Sequence, residues 1–139
     1  MTQGILPLLL LAATLASCAD EEPVSATCPS VLPKWSKPQD GRSAFRIMNV
    51  VAFAQSGPTW NGQPVAREEL SEYLERGNLI EPAAFVVLDP SAASDCKAAT
   101  ELRDFINQEA DCQGVGFCGQ GPRQAWENAP GLRGPDWVE

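Results

Sequence analysis

Histidine is missing altogether from this 139-residue chain. With it go Ser-His-Asp and Cys-His catalysis, imidazole metal ligation and any histidine-based pH switch. Basic residues are scarce too: ten Lys and Arg stand against eighteen Asp and Glu, a net charge of −8. Nucleic acids and anionic lipid surfaces are held through basic patches, so neither is an expected partner for the protein surface. Phosphate-cradling loops are lacking as well. Gly114-x-Gly116 and Gly119-x-Gly121 have neither the Lys-Ser/Thr nor the following helix that cradling needs, and read as a Gly-rich loop. No carboxylate pair stands out at the separation that glycoside hydrolysis uses. Asp89, ahead of Pro90, reads as a turn or cap residue. No catalytic residue, cofactor or metal ligand is expected, and the chain reads as non-enzymatic.

No apolar run is long enough to cross a bilayer permanently; the longest, Ile5 to Leu15, fits the core of a signal peptide. It ends in Leu15-Ala16-Ser17-Cys18, which resembles the lipobox of bacterial lipoproteins. The resemblance implies that residues 1–17 are removed and that the Cys18 thiol carries diacylglycerol, with palmitate-type acyl chains anchoring the new chain end in a membrane. Met1 to Gly4 carry no basic residue, and a plain secretory signal with a chance cysteine is the competing reading. Ala19, where sorting rules of diderm bacteria would place Asp for inner-membrane retention, favours the periplasmic leaflet of the outer membrane. Every charged residue follows position 17, so cleavage leaves the charge at −8.

Setting Cys18 aside leaves Cys28, Cys96, Cys112 and Cys118, an even number in an oxidising compartment. The C-x5-C spacing of Cys112 and Cys118 is not that of zinc knuckles or thioredoxin-like pairs, so two disulfides are expected rather than a metal site.

Residues 18–42, the lipidated Cys and four prolines among them, read as a flexible tether, pinned back through Cys28. Phe45, Ile47, Val51 and Phe53 sit at strand spacing; Ser56-Gly57-Pro58 is turn chemistry, and Thr59-Trp60 forms a short return strand. After Asn61-Gly62 a helix places Leu70, Tyr73 and Leu74 on one face, with Gly77 as its C-cap. Ala83 to Leu88 is a continuous apolar run, typical of a buried central strand. Ser94 or Asp95 caps a second helix, about 96–108, whose stripe is Ala99, Leu102, Phe105 and Ile106. Val115 and Phe117 suggest a last strand within 112–118, and residues 121–139 read as an irregular Gly/Pro-rich tail with Trp126 and Trp137. The expected fold class is α+β, a two-layer sandwich in β-β-α-β-α-β order, with a small mixed sheet, two helices on one face and disulfide stabilisation, over residues 43–120.

Val50-Val51-Ala52-Phe53, Gly57, Thr59-Trp60-Asn61-Gly62-Gln63-Pro64-Val65, Glu68-Glu69-Leu70 and Tyr73-Leu74 together resemble the periplasmic domain of the ExbD/TolR biopolymer-transport family. The likeness covers about residues 45–118. Family members use a transmembrane helix with an essential Asp to couple proton flow, and their periplasmic domains dimerise and contact envelope proteins or peptidoglycan. Here the apolar segment holds no acidic residue, so the resemblance implies a fold and a binding role without proton-channel activity. Strand addition at a sheet edge, as in family dimers, is the implied mode of contact.

In this layout the second helix runs antiparallel to the last strand, and each spans about 20 Å. That register favours Cys96–Cys118 and leaves Cys28–Cys112 to pin the tether. The functional expectation is a lipid-anchored periplasmic interaction module that binds an envelope protein, cell wall or a second copy of itself. A small structural or inhibitory lipoprotein, unrelated to transport, is the alternative.

Overall fold

A computed structural model describes residues 28–132. The signal segment, Cys18, the first part of the tether through residue 27, and Trp137 lie outside them.

The expected fold class holds: α+β, built on a mixed five-stranded sheet. Strand β1 is Arg42–Ser43, and β2, Met48–Ala54, runs through the middle of the sheet. From β2 the chain doubles back as β3, Gly57–Trp60, and again as β4, Gln63–Pro64. Asn61 and Gly62 make the second turn with φ of 49° and 87°. Both central residues of such a hairpin need positive φ, which Asn tolerates and Gly adopts freely. Helix α1, Arg67–Leu79, then carries the chain to β5, Phe85–Leu88, which pairs parallel with β2. Helix α2, Cys96–Glu109, carries it on to β6, Phe117–Gln120, parallel with β5. The strand order is β4-β3-β2-β5-β6. All four β5 residues are buried, as the continuous apolar run requires of a parallel strand covered on both faces.

Alternation along the strands divides the core. Val51, Val86 and Leu88 meet Leu70 and Leu74 of α1 and Leu102 and Ile106 of α2 on one face. Phe85 and Val87 point the other way, onto Trp126. Trp126 belongs to helix α3, Arg123–Glu127, and is fully buried, its indole edge-on to Phe85 at 5.1 Å. A Cβ at Gly119 would lie 2.6 Å from Trp126 Cζ2 and 2.7 Å from Phe85 Cζ, so only glycine lets the indole rest on β6. The two long helices share one face as expected. The expected irregular tail is corrected over its described residues, 121–132: they supply a third layer, and Gly131–Leu132, β7, pairs in parallel with β1.

The tether is corrected as well. Residues 28–42 are laid against the domain because Trp35 drops into the helix-side core, 6% exposed, and donates from Nε1 to Asn107 Oδ1 at 3.0 Å. Next to it Ser36 straps the outer edge of β6, donating to Cys118 O at 2.9 Å and accepting from Gln120 N at 3.0 Å. Arg103 reinforces the strap through Ser30 O at 2.8 Å. Smaller departures follow from packing. Helix α1 continues through Gly77, where Ala84 packs close, and ends at Leu79, with Ile80 as its C-cap. Strand β2 begins at Met48, so Phe45 and Ile47 precede it.

Four cysteines form two disulfides, as expected, but in a different pairing: Cys28–Cys96 and Cys112–Cys118, with Cα separations of 5.7 and 5.6 Å. The expected Cys96–Cys118 and Cys28–Cys112 bridges fail because the last strand starts late. Residues 112–116 are turn rather than strand, so Cys118 sits near the amino end of β6, opposite Val86, beside the end of α2 that carries Cys112. The residue that does return to the start of α2 is Gln120, whose Nε2 donates to Pro29 O at 2.6 Å, next to Cys28.

Candidate interaction surface

Three parallel strands entering a sheet from the same end bring their leading segments together there. The segment before β2 carries Phe45 and Ile47, the one before β5 carries Leu79 and Ile80, and the one before β6 carries Val115 and leads into Phe117. All six are large, apolar and between 42% and 83% exposed. Single exposed apolar side chains are ordinary on a protein surface; six gathered at one end of a small acidic domain are not. The register fixes their neighbourhood, since Met48, Phe85 and Phe117 lie in one row across β2, β5 and β6. Arg46 ties the first and last segments together. Its guanidinium lies 3.4 Å from the Phe117 ring centroid while Nη1 donates to Ala83 O at 2.6 Å. The face therefore pairs exposed apolar surface with one cation held flat on an aromatic ring, a combination enriched at protein–protein contacts.

Opposite this face, at the carboxyl ends of the strands, Cys28 is clamped to the start of α2 by its bridge to Cys96. Cys28, the first described residue, is thus held at the far end of the sheet from the apolar face. Residues 19–27, fully extended, reach at most roughly 30 Å.

Sheet edges do not offer the strand-addition site that was expected. Ser36 already occupies the main-chain groups of β6 along its outer edge. The other edge is the two-residue β4, ending in Pro64. The amino-end apolar face is what the sequence reading missed. Phe45 and Ile47 read as core residues because they continue the alternation of β2, and no local signal says that the strand stops short of them.

Other singled-out residues have structural work. Asp89 accepts from Ser91 N through Oδ1 at 2.9 Å and from Arg123 N through Oδ2 at 2.8 Å, so it ties the β5 turn to the start of α3. Asp95 caps α2, accepting from Ala98 N at 2.7 Å. Gly114 and Gly116 lie within the Cys112–Cys118 loop. Trp60 is half-buried against Tyr73, ring centroids 5.4 Å apart. The Tyr73 hydroxyl donates to Glu69, and that bond, with some burial and the nearby negative charge, holds its proton above the ordinary tyrosine range. Among the described residues, no helix is long and apolar enough to cross a membrane, and no three acidic or cysteine side chains gather as a metal site. Neither a protein-family model, nor a curated protein, nor a solved structure matches the chain.

Proposed function

We propose that the protein is a non-enzymatic interaction module, held by lipidated Cys18 on the periplasmic side of the bacterial envelope, at the outer membrane, and docking an envelope protein through its amino-end apolar face. The observation that carries the docking role is the cluster of Phe45, Ile47, Leu79, Ile80, Val115 and Phe117 at the end of the sheet away from Cys28. The placement of Cys28 at the opposite end of the sheet supports a face turned away from the anchoring membrane, toward soluble or wall-bound partners. Leu15-Ala16-Ser17-Cys18 and the two disulfides support an exported, acylated chain. The likeness of Val50 to Leu74 to the ExbD/TolR periplasmic domain supports a binding role, with no proton-channel activity in this polypeptide.

Photo-crosslinking in intact cells tests this reading. A photoreactive amino acid at Ile47 or Phe117 is expected to capture a discrete protein, while the same group at exposed Gln124, on the far side, captures none. Replacing Phe45 and Ile47 together by Ser should abolish the product. Crosslinks only to a second copy would recast the face as a homodimer contact. Equal yield at all three positions, or a mature chain that does not start with acylated Cys18 in mass spectra, would sink the proposal.

A further inference from the structure

Strand β1 runs toward the amino end of the sheet, because a turn, in which Arg46 N donates to Ser43 O, leads from it into the start of β2. Strand β7 lies parallel to β1, with Leu132 beside Ser43. The two are close: a Cβ on Gly131 would sit 3.8 Å from Ala44 Cβ. Parallel pairing therefore aims the chain after Leu132 along the path of Ala44 and Phe45, at the rim of the docking face.

The next seven residues are Arg133-Gly134-Pro135-Asp136-Trp137-Val138-Glu139. Trp137 is five residues beyond Leu132, a reach of up to roughly 17 Å when extended. Strands β2, β5 and β6 are adjacent, so crossing the face takes about 10 Å, two interstrand spacings. An indole at position 137 can thus be set against exposed Phe45, Ile47, Ile80 or Phe117.

Two features of the face favour this occupant. So much exposed apolar surface on one small domain invites association unless something covers it. A tethered segment is present at an effective concentration on the order of millimolar, ahead of any dilute free molecule. Charge is the second feature. The Arg46 guanidinium, flat on Phe117, makes no ion pair among the described residues. Asp136 and Glu139 bracket Trp137-Val138 with the opposite sign.

We infer that residues 133–139 fold over the amino-end apolar face of their own chain, with Trp137 against Phe45, Ile47 and Phe117 and Asp136 paired with Arg46, so that a partner must displace them to dock. The covering stands on the geometry of β1 and β7; the competition with a partner rests on the docking role proposed above.

The mature chain and its Trp137→Ala variant, their folds verified by circular dichroism, test the covering by methyl NMR. Ring currents from the indole should displace the Ile47 and Ile80 methyl resonances, and Trp137→Ala should remove the displacement at every protein concentration. Asp136→Lys should reduce it. In cells, with the photoreactive group at Ile47, Trp137→Ala should raise partner capture about twofold or more, the gain for a face covered at least half the time. Methyl resonances that ignore Trp137→Ala would overturn the inference and leave the docking role standing. Displacements that fade on dilution would overturn it too, since they place the segment on a second copy. Indifference to Asp136→Lys would remove the pairing with Arg46. Equal capture by both chains would overturn the competition. Displacement lost while neither chain captures a protein would uphold the covering and count against the docking role.

Discussion

At the scale of single residues, the legible positions are those whose roles are local. Asp95 caps α2 because a carboxylate one residue ahead of a helix reaches the N–H three positions on, a relation contained within the segment itself. Asn61-Gly62 turns for a similar reason. Tyr73 depends on a helical neighbour, Glu69, four residues earlier. It is the one tyrosine of the chain, so its titration can be followed without overlap. Its phenol should ionise above the usual value near 10, and Glu69→Gln should bring the midpoint back down, read by tyrosinate absorbance. The sign for stability follows. A raised native pKa means the folded form holds this proton more tightly, so the contribution is intact below the unfolded pKa and is lost as pH rises through the native one. A midpoint unmoved by Glu69→Gln would show that the hydroxyl does not depend on that carboxylate.

Among the elements, helices are read more securely than strand ends. Leu70 with Leu74, and Ala99 with Leu102 and Ile106, repeat at helical spacing and are buried where that spacing puts them. Strand limits carry no such repeat: Phe45 and Ile47 keep the alternation of β2 without belonging to it, and the start of β6 is displaced by the turn that follows α2. That displacement re-pairs the cysteines. The two bridges close loops of very different length, 68 and 6 residues in sequence separation. In the chain-entropy account, removing Cys28–Cys96 by paired Ser substitution should cost roughly 4 kcal/mol, and removing Cys112–Cys118 roughly 2. Urea denaturation of the two variants checks the ranking, and non-reducing peptide mapping checks the pairing. The reverse order of stabilities would mean that the strap contributes little to holding the domain together.

Over the whole molecule, three layers rather than two account for the core. A parallel central strand such as β5 exposes an apolar row on each face, and α1 with α2 can cover only one. Trp126 closes the second, supplied by a segment whose prolines and glycines read as an irregular tail. Trp126→Ala should therefore cost roughly 3–5 kcal/mol, in the range of large core truncations, and lower the thermal midpoint in calorimetry accordingly. A loss under about 1 kcal/mol, the scale of an ordinary surface change, would make α3 a passenger on a two-layer fold. The same overall layout places the apolar face and the Cys28 clamp at opposite ends of the sheet, an arrangement that belongs to no single element.

From the amino-acid order alone follow the features set by neighbours along the chain: the two main helices and their buried stripes, the central apolar strand, the Asn-Gly hairpin, the α+β class and the expectation of two disulfides. Which cysteines pair, how Trp35 and Trp126 enter the core, and why six apolar side chains remain outside it were decided only when distant segments met. Periodicity records which side of an element is apolar. It does not record whether another element arrives to cover that side, because that depends on contacts between residues far apart in the chain.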